Sequence, residues 1–161
     1  DQQFHALGLP PVGPGAQRRF EQVTRDVGRM RFTNDLSDAY AFRTPSLRNV
    51  ALTAPYGHNG AYRTLEGIIR HHAQPQTMLA AWTDEEIALP QVNGLIRGDM
   101  AVLDNEREMA RLAASITIAP LDLSDEDVQA LVAFLGTLTD ENGAKGRLGK
   151  PRSVPSGLPV E

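Results

Sequence analysis

The sequence predicts an all-α chain whose helices are separated by long irregular stretches, and three observations carry that prediction. Thr64 stands in front of Leu65, Ile68 and Ile69, an N-cap hydroxyl followed by apolar residues at helical spacing. Residues 124–127, Ser-Asp-Glu-Asp, read as a capping box with Asp where Glu or Gln is preferred. They open a stripe of Val128, Leu131, Val132, Leu135 and Leu138 with the period of a helix that buries one face. Both ends of the chain are rich in proline, glycine and polar residues, which punctuate structure and do not propagate it.

In chain order, residues 1–17 read as irregular chain with Phe4, Leu7 and Leu9 as apolar anchors. Residues 18–29 read as a polar helix, and 32–41 as a loop with Asp35 and Asp38 at its turns. Pro45 and Pro55 fix their own φ and push Thr44 and Ala54 towards extended backbone. His58-Asn59-Gly60 has the composition of a tight turn, since Asn and Gly tolerate positive φ. The helix opened by Thr64 closes at His71-His72. Trp82 is expected in a core, at an interface or beside a cofactor. Residues 83–86, Thr-Asp-Glu-Glu, suggest a helix start with acidic groups near the favourable end of the dipole. Asp104 is expected to cap a helix reaching about Ser115, with Met109 and Leu112 on its apolar side. The folded unit is expected over 1–139 and an extended tail over 140–161.

Composition narrows the function. At 161 residues the chain is one domain's worth of protein with room for a core. The net charge of -4 and the lack of a basic cluster argue against a nucleic-acid partner. No apolar run approaches a membrane span. There is no cysteine, and His58 and His72 lie too far apart for a simple zinc pattern. Yet three of the four histidines fall within residues 58–72, and imidazole is both a common metal ligand and a ready proton carrier.

Residues 42–72 read FRTPSLRNVALTAPYGHNGAYRTLEGIIRHH, closing on His72. This stretch resembles the C-terminal half of bacterial di-heme cytochrome c peroxidases and their relatives of the MauG type. The shared pattern is F-[RK]-T-P-[ST]-L-R-N, then T-x-P-Y-x-H-[DN]-G, then T-L-E. The resemblance implies a cytochrome c-like heme domain with long irregular loops. It also implies heme c as cofactor and hydrogen peroxide as substrate. Electrons would enter from a small donor such as a c-type cytochrome, in the periplasm, with a homodimer as a candidate assembly. The Cys-x-x-Cys-His attachment motif is missing, and in the family it sits just upstream of a segment like residues 1–8. The chain is therefore expected to lack its N-terminal heme-attachment segment and the N-terminal heme domain, which leaves part of the 128–138 stripe uncovered.

Residue by residue, the resemblance gives Phe4 and His5 a place at the heme edge. For His5 a surface or capping role competes. Arg48 resembles the arginine that meets a heme propionate through its fork of donors; the competing role is a plain ion pair. Thr53 and Pro55 match positions whose backbone carbonyls bind calcium, a cation suited to such hard ligands. Tyr56 is expected in an inter-domain wall, and His58 near the heme and its propionates, with turn stabilisation as its alternative. Counting from T-L-E, the resemblance puts the axial ligand on His72, where many peroxidases carry methionine and MauG carries tyrosine. Imidazole in place of thioether lowers the reduction potential. The rivals are His71, one residue out of register, and Met78. On this reading the domain is the electron-entry part of a peroxidase-type enzyme with no catalytic residue of its own. The alternatives are MauG-like oxidation of a partner protein, and a heme-free interaction domain.

Overall fold

The computed structural model describes residues 1–13, 25–87, 100–140 and Pro155. These form a helix-rich chain with little sheet. The helices are α1 (Met30–Thr33), α2 (Leu65–Ala73), α3 (Pro75–Ala81), α4 (Glu106–Ala114) and α5 (Asp125–Thr137). The all-α expectation needs one correction. A short antiparallel ribbon joins β1 (Phe4–His5) to β2 (Phe42–Arg43), pairing Phe4 with Arg43 and His5 with Phe42.

The helix starts follow local chemistry. The Thr64 side chain accepts from the Gly67 N–H and caps α2. Pro75 opens α3 at a position whose N–H would have no partner, so α2 and α3 abut at Gln74 without fusing. Ser124 and Asp127 complete a reciprocal capping box at α5. At α4 the cap is Asn105, one residue beyond Asp104, and its side chain accepts from the Glu108 N–H. Residues 84–86 make only a 3-10 turn.

Two apolar clusters hold these pieces. One gathers Val12, Tyr56, Ala61, Tyr62 and Ile87; the other gathers Val27, Met30, Tyr40, Leu79 and Leu112. Tyr56 is thus part of this chain's own core. The Trp82 indole packs on the first cluster and donates to the Ala61 carbonyl at 2.9 Å. Helix α2 packs against α3 and α5, and α5 also meets the turn Val50–Leu52.

The first dozen residues behave differently from the expectation that Phe4 anchors them. Burial falls on alternate residues, Ala6, Gly8, Pro10 and Val12, as in an extended segment lying on a surface. Phe4 shares the parity of those residues, but the buried run stops short of it and leaves its ring exposed under the Arg29 guanidinium. The polar helix read over 18–29 is not formed where it is described. Residues 25–27 are not helical, Gly28 turns at φ 60° and is bridged to Ala41, and the Arg29 N–H donates to the Ala41 carbonyl. Residues 18–24 lie outside the described chain, as does the expected tail apart from Asp140 and Pro155. On α5 only Val128 is fully buried, while Leu131 and Phe134 are exposed. Its apolar stripe is wider than the cover that α2 and the 50–52 turn provide.

Candidate functional site

The loop between Leu52 and Thr64 is folded back on itself by paired backbone bonds, Tyr56 N–H to Tyr62 O at 2.7 Å and Tyr62 N–H to Tyr56 O at 3.0 Å. The turn at its tip has Asn59 at φ 62° and Gly60 at φ 75°, as the His-Asn-Gly composition predicts. His58 leaves this tip with its ring stacked on Phe42, centroids 3.7 Å apart. Its Nε2 lies 2.9 Å from Asp26 Oδ2. That hydrogen bond outweighs the opposing effect of burial and, with the Gly28 N–H, holds Asp26 below the usual carboxylate range. The structure thus places His58 in a bond between two loops.

His58 and Asp26 border a cleft with Arg25, Tyr40 and Glu108. Glu108 is buried and accepts from Arg25, Arg111 and the Tyr40 hydroxyl. Burial works to raise its pKa, but Arg25 leads the partners that outweigh it and hold it low. The sequence hid this residue, because Asn105-x-x-Glu108 has capping-box spacing and invites an exposed reading. The cleft's interior space is about 20 Å³, room for roughly one water and far too small for a porphyrin. A wider open groove of about 410 Å³ runs between Leu79, Trp82, Met100, Leu103 and Met109.

The three rival ligand positions separate clearly. His71 is fully buried, with Nε2 2.8 Å from the Leu7 carbonyl and Nδ1 2.8 Å from the Tyr62 hydroxyl. A carbonyl only accepts, so Nε2 carries the proton and Nδ1 accepts from Tyr62. Both nitrogens are engaged. Burial is the main cause that lowers the His71 pKa to about 4, so the ring is neutral at pH 7. Met78 is half-buried against the Tyr56–Tyr62 cluster. His72 is exposed, and its Nδ1 lies 2.9 Å from the Ile68 carbonyl. The same argument puts the proton on Nδ1. Nε2 then keeps its lone pair, with no hydrogen-bond partner among the described residues. An imidazole whose other N–H is tied to a backbone carbonyl is the usual form of a histidine ligand.

The remaining expected residues lie apart from these. Arg48 is exposed and donates to Asp140 at 2.9 Å, closing the loop of residues 44–49 onto the end of α5. The Asp140 N–H donating to Asn49 Oδ1 and the Asn49 N–H donating to Leu138 reinforce that junction. Thr53 and Pro55 are exposed, and the Ala54–Pro55 peptide is cis. The Thr53 hydroxyl donates to Val50 O, while the Thr53 and Pro55 carbonyls accept no hydrogen bond among the described residues. His5 pairs with Asp1 at 2.8 Å on the surface. Among the described residues no three His, Cys, Asp or Glu side chains gather to hold a metal, and no helix is long and apolar enough to cross a membrane.

No protein-family model matches the chain. It is 36% identical over 147 residues to the methylamine utilization protein MauG of Paracoccus denitrificans, a match covering 86% of this chain and 34% of that protein. It is 43% identical over 61 residues to the cytochrome c peroxidase Ccp of Escherichia coli, covering 37% of this chain and 13% of the relative. The chain belongs with the di-heme cytochrome c peroxidases and MauG proteins. A MauG of Methylorubrum extorquens adds 28% identity over 89% of this chain and 29% of its own length. A solved MauG-like protein associated with microbial copper homeostasis matches with 29% identity and a TM-score of 0.49, over 88% of this chain and 36% of that one. This member of the peroxidase/MauG family thus spans about a third of the MauG proteins it matches.

The relatives imply c-type heme. With no cysteine, this chain makes no thioether attachment of its own. His72 has the tautomer and the open lone pair that an axial ligand needs, so the donor chemistry fits. It stands at the surface, so a macrocycle bound there needs walls beyond the described residues.

Proposed function

We propose that this chain is the electron-entry heme segment of a di-heme peroxidase-type oxidoreductase. The intact periplasmic enzyme would reduce hydrogen peroxide with electrons from a small c-type cytochrome. The observation that carries the reading is His72, whose Nδ1–H is held by the Ile68 carbonyl so that Nε2 faces outward. His72 would be the axial ligand, and heme, when bound, supplies a one-electron redox centre. Arg48 would turn its guanidinium from Asp140 to a propionate. Phe4, His5 and His58 would lie along the cofactor's edge, and the free carbonyls of Thr53 and Pro55 would contribute to a calcium site. The peroxide-cleaving chemistry is assigned to the N-terminal heme domain of the family, so no catalytic acid or base is assigned here.

The test is His72→Met in the intact heme-loaded protein. Thioether ligation raises the potential of a c-type heme, so the midpoint should rise and the spectrum should become of His/Met type. An unchanged midpoint and spectrum would remove His72 from the iron.

A MauG-like oxidation of a partner protein is the second reading. It is favoured by the long match to MauG and by the absence of methionine at position 72. Turnover of a reduced cytochrome with peroxide supports the first reading. Peroxide-dependent oxidation of a partner protein, with no such turnover, supports the second.

A further inference from the structure

Helix α2 is nine residues long, too short to hold its own shape or its rotational setting in water. Its phase about its axis must come from tertiary contacts, and one buried set of contacts supplies it. Residues 67 and 71 are four apart and lie on one face of the helix. The Tyr62 ring runs along that face. A Cβ added at Gly67 would come 2.8 Å from Tyr62 Cδ1, and one turn further on the Tyr62 hydroxyl donates to His71 Nδ1 at 2.8 Å. Tyr62 is itself fully buried and held at both backbone groups by Tyr56. On the far side of the imidazole, Nε2–H donates to the Leu7 carbonyl at 2.8 Å. Every buried side-chain polar atom among the described residues has a partner, so this chain of bonds is complete.

We propose that Tyr62 and His71 are positioning residues for His72, orienting its Nε2 by fixing the rotational phase of α2. This rests on the reading of His72 as an axial ligand. The next residue on a helix stands about 100° round the axis, so His71 points into the clamp while His72 points out, beside Ile68. The clamp also ties α2 to the Leu7 segment, and His72 is thereby held to the start of the chain as well as to its own loop. A ligand needs its geometry within about 0.5 Å and 10–20°. A short helix free to roll would not provide that.

The experiment uses the intact heme-loaded protein and reads the ferric EPR spectrum and the midpoint potential, not turnover. Tyr62→Phe keeps the ring and removes only the hydroxyl that holds His71. It should shift or broaden the low-spin signal, raise a high-spin fraction and move the midpoint. Gly67→Ala should do the same by pushing the Tyr62 ring from below, and it serves if Tyr62→Phe does not fold. Leu112→Ala, a core truncation in the other apolar cluster, controls for general loss of stability and should leave the spectrum as in the parent. Spectra of Tyr62→Phe and Gly67→Ala that match the parent or the Leu112→Ala control would overturn the positioning role. His72→Ala runs in parallel: if it leaves the parent spectrum, the ligand reading fails. If it alters the spectrum while the clamp variants do not, only the positioning inference falls.

Discussion

Replacing glycine by alanine inside a helix ordinarily stabilises a protein by about 0.5–1 kcal/mol, because alanine loses less backbone entropy on folding. Two glycines of this chain should respond with opposite signs. Gly136 lies in α5 with nothing within 4 Å of an added methyl, so Gly136→Ala should realise most of that gain. At Gly67 the methyl would approach Tyr62 Cδ1 to 2.8 Å, with Thr64 Oγ1 at 3.3 Å. Carbon atoms rest at about 3.5–4.0 Å, so something must give. The ring cannot swing away, because it is fully buried and its hydroxyl is bound to His71. Overpacking of this kind costs about 1–3 kcal/mol. Set against a helix gain of at most about 1 kcal/mol, Gly67→Ala should be net destabilising by roughly 1 kcal/mol. For a chain of this size that lowers Tm by about 2–4 °C, while Gly136→Ala raises it by up to a similar amount. Thermal and urea unfolding followed by circular dichroism would check both. Gly67→Ala and Gly136→Ala stabilising alike would refute the clamp geometry, since only the Tyr62 contact separates them.

Further outcomes follow from the same structure. The folded His71 pKa of about 4 lies below its ordinary 6.5, so the unfolded chain takes up that proton first as pH falls. Stability should be complete above about pH 6.5 and decline by about 3 kcal/mol on the way to pH 4, as urea titrations at stepped pH would show; His71→Gln should flatten that slope. Glu108→Gln leaves Arg25 and Arg111 facing a neutral amide in a buried site and should lower stability by about 2 kcal/mol, read as a lower urea midpoint. Arg48→Ala removes only an exposed ion pair in the heme-free chain and should cost under about 1 kcal/mol there. In the heme-loaded intact protein the Arg48→Ala loss should be larger, and equal losses in the two forms would leave Arg48 as an ion pair alone.

What could be read from the residues was local. The Thr64 cap, the box at residues 124–127 and the positive φ of the His58–Gly60 turn depend on neighbours within four positions, and the sequence contains all of those neighbours. The family motif was legible for the same reason, being contiguous. What could not be read joins distant segments: His58 to Asp26, Arg25 to Glu108, His71 to Leu7. The sequence by itself determined where α2 and α5 begin, which loop is tight, and that three histidines crowd one stretch. Only the tertiary structure decided which histidine is free. His71 and His72 are chemically identical neighbours. A turn of about 100° about one helix axis buries the first against Tyr62 and Leu7 and leaves the second at the surface with an open lone pair.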